Sequence, residues 1–331
     1  MSSKKVLVLP GDGDGPVLVA AAEDVLEAAT SGVDLIHGEI GAAAYGHTSQ
    51  ALPAETADLA AAADAVLSGP VGNPLSMGNL RNPLATLRKQ LNLLAEVREF
   101  YPLCSYLGNR DVDLVFVSFC SDTALSVTEV DSLDGISTDH FTGVDASGEL
   151  FDLALAIGEM RRRKRVTCLS GTGLFPASEK LFVDLFHRHF AATEFLMDDA
   201  NSAQAACRLA ADPSSLELVV SGLICAPAFA GQAAGMIGGD GLMPVGYVGR
   251  RGGLFMPTMP TVADRSIPNP TSAILAGALM LLNLGMDSAY EDIKKAVREM
   301  YRVGRVTPDR GGNLSTAAFA HGVADLVRSY Q

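Results

Sequence analysis

From its first residues the chain alternates short apolar runs with apolar stripes at helical spacing. Val6-Leu7-Val8-Leu9 reads as a buried strand, Pro10-Gly11-Asp12-Gly13-Asp14-Gly15-Pro16 as a loop, and 17–29 as a helix. Strand, loop and helix in that order at the start point to an α/β fold. The same pattern predicts strands at 33–36, 65–68, 113–119, 165–169 and 216–220. It predicts helices at 54–63, 84–94, 150–163, 178–190, 202–211, 271–284 and 316–330. Residues 128–148 are polar, turn-rich and β-like, as in a projecting arm, and 235–270 is rich in Gly and Pro. One stretch, Val219 to Ala233, carries no charge at all.

Composition narrows the partners. The 331 residues are 48% hydrophobic with a net charge of −13. An acidic chain lacks the basic face that nucleic acid needs. The only basic run, Arg161-Arg162-Arg163-Lys164-Arg165, is expected to be a solvated helix end complementing the dipole. The five cysteines, at 104, 120, 168, 207 and 225, form no Cys-x-x-Cys pair and have no zinc spacing, so reduced thiols in a cytoplasmic protein are expected. No apolar run reaches the roughly 18 residues of a membrane span, and Met1-Ser2-Ser3-Lys4-Lys5 is not read as a signal peptide.

The loop at 11–16 is neither G-x-G-x-x-G nor a Walker A sequence, and alone it reads as a tight strand-to-helix turn. Set in order with other segments, it resembles the opening of the isocitrate/isopropylmalate dehydrogenase family. Gly69-Pro70-Val71-Gly72-Asn73-Pro74 is similar to that family's Gly-x-Val-Gly-x-Pro loop, and Leu87 to Arg98 to its substrate helix. Arg161 to Thr167, Gly238 to Pro244, Ile267 to Leu275 and Arg305 to Asn313 resemble further family segments in the same order. The resemblance implies a two-domain α/β fold with a dimerisation arm. The large, nucleotide-type domain would be 1–96 plus 246–331, and the small dimerisation domain 97–245, with the arm at 128–148.

The family oxidises a 2-hydroxy acid with NAD or NADP and decarboxylates the product. It uses Mg²⁺ or Mn²⁺ held by carboxylates, a Lys and a Tyr that move protons, and three arginines that hold substrate carboxylates. By resemblance, Arg88 and Arg98 are two of those arginines, on or just after one helix. Ser118 stands in place of the third, Leu125 in place of the tyrosine and Gly171 in place of the lysine. Pro227 and Gly231 take the places of two metal carboxylates, and no acid lies between Glu217 and Asp240. The third acid falls on Ala203, or on Asp198 or Asp199 if about one extra helical turn is allowed. Asp264 and Asn269 take the places of NAD-contacting residues; the competing reading is a turn residue and a helix cap. Polar residues left near the site are Ser118, Cys120, Ser121, Asp122, Asp139, His140, Ser170, Thr172 and Cys225, and none is assigned as a nucleophile.

The resemblance thus implies a divergent homologue lacking the family's catalytic residues. Mg²⁺ or Mn²⁺ is not expected and NAD stays open. The expected partners are a small anionic molecule and a second copy of the chain, with neither nucleic acid nor membrane. Three readings stand: an enzyme repurposed for metal-free chemistry on a small carboxylate, a non-catalytic homologue binding a metabolite or partner protein, and a residual NAD-dependent 2-hydroxy-acid dehydrogenase.

Overall fold

The computed structural model describes residues 3–72, 82–108, 111–121, 127–132, 134–222, 224–258 and 267–331. The chain forms two compact units. The first comprises Met1–Asn92, Pro102–Arg110 and Ala234–Gln331, and the second Leu93–Tyr101 and Asp111–Ala233. Segments 102–110 and 234–245 therefore group with the first unit, where the sequence reading had placed them with 97–245.

In the first unit, β1 (Lys4–Leu9), β2 (Val33–His37), β3 (Ala65–Ser68), β11 (Pro244–Val248) and β12 (Gly253–Pro257) lie in the order β2-β1-β3-β12-β11. β1 is parallel to both neighbours, β3 is parallel to β12, and β11 returns antiparallel to β12. The helices are α1 (Gly15–Ala29), α2 (Ala42–Thr48), α3 (Ala54–Ala62), α4 (Pro83–Gln90), α9 (Thr271–Asn283), α10 (Asp287–Arg302) and α11 (Thr316–Tyr330). α9 is buried from Thr271 through Leu282 and packs against α1, α10, β11 and β12. A helix apolar on every side belongs at such a centre. At Gly277 a β-carbon would stand 3.2 Å from the Leu26 side chain, so the missing side chain lets α9 and α1 approach closely.

The loop after β1 is a staple. Asp12 accepts from the backbone N–H of Ala42 at 2.7 Å and of Gly72 at 2.8 Å, while its own N–H donates to the Pro70 carbonyl at 2.7 Å. Gly11 has φ +74, and a β-carbon there would overlap the Pro70 carbonyl oxygen. The glycines of this motif allow a tight turn, and its aspartate ties three loops together.

In the second unit, β4 (Ala95–Phe100), β5 (Leu114–Phe119), β8 (Arg165–Leu169), β9 (Leu196–Ala200) and β10 (Leu218–Ser221) lie in the order β4-β5-β10-β8-β9. β5, β10, β8 and β9 run parallel and β4 antiparallel to β5. The helices are α5 (Val144–Met160), α6 (Pro176–Phe190), α7 (Ser202–Ala211) and α8 (Ala226–Met236), the last crossing the unit boundary. Phe151 packs against Phe182, Phe186 and Phe190 of α6, with ring centroids 5.0, 5.8 and 6.2 Å away. A separate hairpin pairs β6 (Val127–Ser132) with β7 (Gly135–His140).

Several expectations are corrected. The helix predicted at 84–94 stops at Gln90, because Asn92 turns left-handed (φ +51) and the chain enters β4. Arg98 therefore lies on a strand rather than on or beside a helix. The arm ends earlier than 148, since α5 already begins at Val144. That helix ends at Met160, before 163, and Arg162 takes a left-handed turn (φ +53). The basic run is not merely solvated: Arg161 pairs with Glu99 with both side chains at most 9% exposed, and Arg163 grips Asp113 at 2.7 Å. The Gly/Pro-rich stretch holds β11 and β12, while α2, β9 and α10 are additional elements.

Candidate functional site

Four parallel strands of the second unit end at the same edge, where open α/β sheets place their ligands. A cavity of about 40 Å³ opens there beside the ends of β5, β8 and β10, represented by Phe119, Leu169, Ser170 and Gly222. Phe182 from α6, Phe141 and Thr142 after β7, and Ile224 and Cys225 before α8 complete its walls.

Gly171 lines this cavity in a conformation reserved for glycine, φ +125. A β-carbon on it would lie 2.3 Å from the Glu179 carboxyl carbon, so that side chain occupies the room a residue at 171 would need. Glu179 is held there by the loop it faces. Its carboxylate accepts from the N–H of Thr172 at 3.0 Å, of Gly173 at 2.9 and 3.1 Å and of Phe175 at 3.4 Å, and from the Thr172 hydroxyl at 3.2 Å. Burial opposes its ionisation, but the bonds from Gly173, Thr172 and Phe175 outweigh it and hold the carboxyl below its ordinary range. Such a carboxylate anchors the turn into α6 and is a poor base. The Cys225 thiol is pushed up, first by burial and then by the Glu179 charge, so it stays protonated and weakly nucleophilic.

The expected site residues that the structure describes fall on different elements, each with partners inside its own unit. Arg88, on α4, is buried, with its guanidinium carbon 4.4 Å from the Tyr247 ring centroid on β11. Asn82 caps that helix by accepting from the N–H of Leu84 at 2.9 Å. Arg98, on β4 of the other unit, donates from Nε to Glu96 at 2.6 Å. Asn269 engages its whole amide at the start of α9. Its oxygen accepts from Thr271 N–H at 3.0 Å and the Thr271 hydroxyl at 2.6 Å, and its nitrogen donates to Tyr301 at 3.2 Å and Asp309 at 3.0 Å. It stands one residue before the N-cap Pro270 and ties the first helical residue, Thr271, to Tyr301 and Asp309. Asp264, Asp122 and Leu125 lie outside the described residues, as does the side chain of His140. Ser118 and Cys120 are buried at the end of β5, while Ser121 is exposed. Asp198 pairs with Arg208 at 2.9 Å and Asp199 with His187 at 3.0 Å.

Among the described residues the donor set does not fit the family's divalent metal. α8 presents no carboxylate along Ala226–Met236, and a β-carbon at Gly231 would meet nothing within 4 Å. Among the described residues no three His, Cys, Asp or Glu side chains converge as a metal site. Hard divalent cations take oxygen ligands, carboxylates above all. Among the described residues no helix is long and apolar enough to cross a membrane.

Glu179 and the aromatic walls were not singled out from sequence. A Glu three residues after Pro176, which opens the helix, was the available signal, since an acid there can reach back to free N–H groups in the chain leading into the helix.

The family profile described as "Isocitrate/isopropylmalate dehydrogenase" matches residues 5–325. The chain is 30% identical to a 3-isopropylmalate/3-methylmalate dehydrogenase of Methanocaldococcus jannaschii, over 98% of this chain and 99% of that one. It is 29% identical to an isocitrate/homoisocitrate dehydrogenase of Thermus thermophilus, over 98% and 99%. The crystal structure of isocitrate dehydrogenase from Methylococcus capsulatus superposes with a TM-score of 0.87 at 29% identity, covering 98% of this chain and 99% of that one. A β-decarboxylating dehydrogenase structure from Thermococcus kodakarensis shares the fold, with a TM-score of 0.88 at 24% identity over 98% and 96%. With its profile match nearly end to end and its fold matched as closely, the chain belongs to the isocitrate/isopropylmalate dehydrogenase family.

Proposed function

We propose that this member is a ligand-binding homologue that does not carry out metal-dependent oxidative decarboxylation. One observation carries the reading: α8 and the loop after β8 offer neither carboxylate nor lysine where the resemblance puts metal ligands and a proton carrier. Each lost acid or base group removes roughly 10²–10⁴-fold in rate. Without the cation, no strong electrophile polarises the hydroxyl or the oxo group. A repurposed enzyme acting on a small carboxylate is less supported, because the cavity holds a saturated carboxylate and a neutral thiol rather than an activated group. Arg88 remains the candidate for gripping an anion, and a second copy of the chain is the candidate partner.

The second reading is a 2-hydroxy-acid dehydrogenase acting through substitute residues, favoured by the names of relatives about 30% identical. The deciding assay follows NAD⁺ and NADP⁺ reduction with Mg²⁺ or Mn²⁺ and 3-isopropylmalate, 3-methylmalate, isocitrate or homoisocitrate. No reduction above a blank without enzyme is the expected result. Metal-dependent turnover with any of them replaces the first reading with the second.

A further inference from the structure

The cavity at the carboxyl ends of β5, β10 and β8 has an unusual balance of chemistry. Phe119 and Phe182, with ring centroids 6.0 Å apart, Leu169 and Ile224 present hydrocarbon, and Gly171 and Gly222 present bare backbone. Among its described lining residues the one carboxylate, Glu179, is turned onto four donors of the preceding loop, three of them backbone N–H groups. Its one thiol is kept neutral by burial. Thr142, Ser170 and Ser178 add the neutral hydroxyls, and among the described lining residues no cationic side chain offers a counter-ion, so an anionic group entering here would give up water at a cost that burial raises. A hydrocarbon group would lose nothing and would shed apolar surface.

Size narrows the class. A cavity of about 40 Å³ holds roughly three waters at 10–15 Å³ each, and thus a group of about four carbons. Phe141 and Ile224 are 65% and 39% exposed, so the apolar lining continues to the rim instead of closing over the cavity. We propose that this cavity is a subsite for a short neutral hydrocarbon group, branched or ring-closed, belonging to a ligand whose polar end stays outside. The assignment rests on the ligand-binding reading above and names the chemistry that the site selects.

Two readouts test it on the full chain. The first is a crystal pressurised with xenon, which seeks apolar cavities. The expected result is a xenon atom between Phe119, Phe182 and Cys225. The second uses Cys225 as a reporter. Alkylation by iodoacetamide is followed peptide by peptide, with isobutanol as the probe, isobutyrate as the charged control and exposed Cys207 as the internal reference. Isobutanol at ten times its dissociation constant should slow labelling of Cys225 about tenfold and leave Cys207 unchanged. Isobutyrate should slow neither. Gly222 lines the cavity and an added β-carbon there meets nothing within 4 Å, so the side chain of Gly222→Leu is expected to fill it. Xenon and isobutanol protection should then vanish while the melting temperature holds.

The subsite is overturned by an absence of xenon in the wild-type cavity, by equal protection from isobutyrate, or by protection that persists in Gly222→Leu. A side chain from a second copy seated in the cavity overturns it as well. These failures are distinct from failure of the ligand-binding reading, because metal-dependent reduction of NAD⁺ removes that reading and leaves the xenon result standing.

Discussion

At the scale of single residues, position 171 and Glu179 form an exclusive pair. With φ +125 and a would-be β-carbon 2.3 Å from the Glu179 carboxyl carbon, Gly171→Ala combines backbone strain with a clash. A loss of about 1–3 kcal/mol is expected by chemical denaturation. Glu179→Ala removes the clash, so the double variant should lose less than the sum of the two singles. Strict additivity would show that the two do not compete for space. The same geometry means that Gly171→Lys alone cannot restore a family lysine without displacing Glu179. The carboxylate also sets a pH dependence. Its pKa is lowered on folding, so its contribution is present above the ordinary value of 4.5 and is lost as pH falls through the lower, folded value. Glu179→Gln should therefore flatten the acid limb of the stability curve below about pH 4.5, and an unchanged slope would contradict the assigned direction. Gly171 was visible in the sequence only as a departure from a family position. Its partner was not visible, because a contact across a turn depends on φ values that spacing does not report.

At the scale of elements, the antiparallel strand β4 shows how one local conformation redirects a prediction. The apolar stripe of α4 runs on through Leu91, Leu93 and Leu94 and reads as helix. The left-handed Asn92 breaks it, and Ala95, Val97 and Glu99 turn to one buried face. Glu99 is an acid on that face, 4% exposed, and the partner it needs is Arg161 at the end of α5. Removing one member leaves a buried charge uncompensated. Arg161→Leu should cost about 3–5 kcal/mol, and adding Glu99→Leu should recover a substantial part of it. Thermal unfolding of the single and double variants checks this, and an Arg161→Leu protein as stable as wild type would place the pair in solvent. Asn269 makes a second case. Four hydrogen bonds join it to Thr271, Tyr301 and Asp309, so Asn269→Ala should destabilise the start of α9 by about 1–2 kcal/mol whether or not nucleotide is present. A variant that lost nucleotide affinity with unchanged stability would assign the residue to binding instead. The amphipathic α10 was legible in principle. Tyr290, Ile293, Val297, Met300 and Tyr301 recur on one buried face at spacings of three and four, but frequent charges between them mask the stripe.

At the scale of the whole molecule, family and fold were legible because glycine- and proline-bearing turns mark the chain from residue 11 to residue 313, and such turns tolerate few substitutes. Ligand chemistry was less legible, because it depends on which side chains converge. The hairpin β6–β7 joins the two levels. Two strands alone are marginal in water. In its register Val130 pairs with Ser137 and Asp131 with Ile136, which puts Val130 and Ile136 on opposite faces of the ribbon. They are 50% and 67% exposed, so both faces of the hairpin carry uncovered hydrocarbon. A ribbon with apolar side chains on both faces is satisfied by insertion between two surfaces, which a second copy supplies when each chain lends its arm to the other. Light scattering should therefore give a mass near twice 34.5 kDa for the wild type at micromolar concentration. Val130→Asp combined with Ile136→Asp places a charge on each face and should shift the protein toward 34.5 kDa while its helical circular dichroism is retained. A wild type that runs as a monomer, or a double variant that remains a dimer, would remove the arm from the interface.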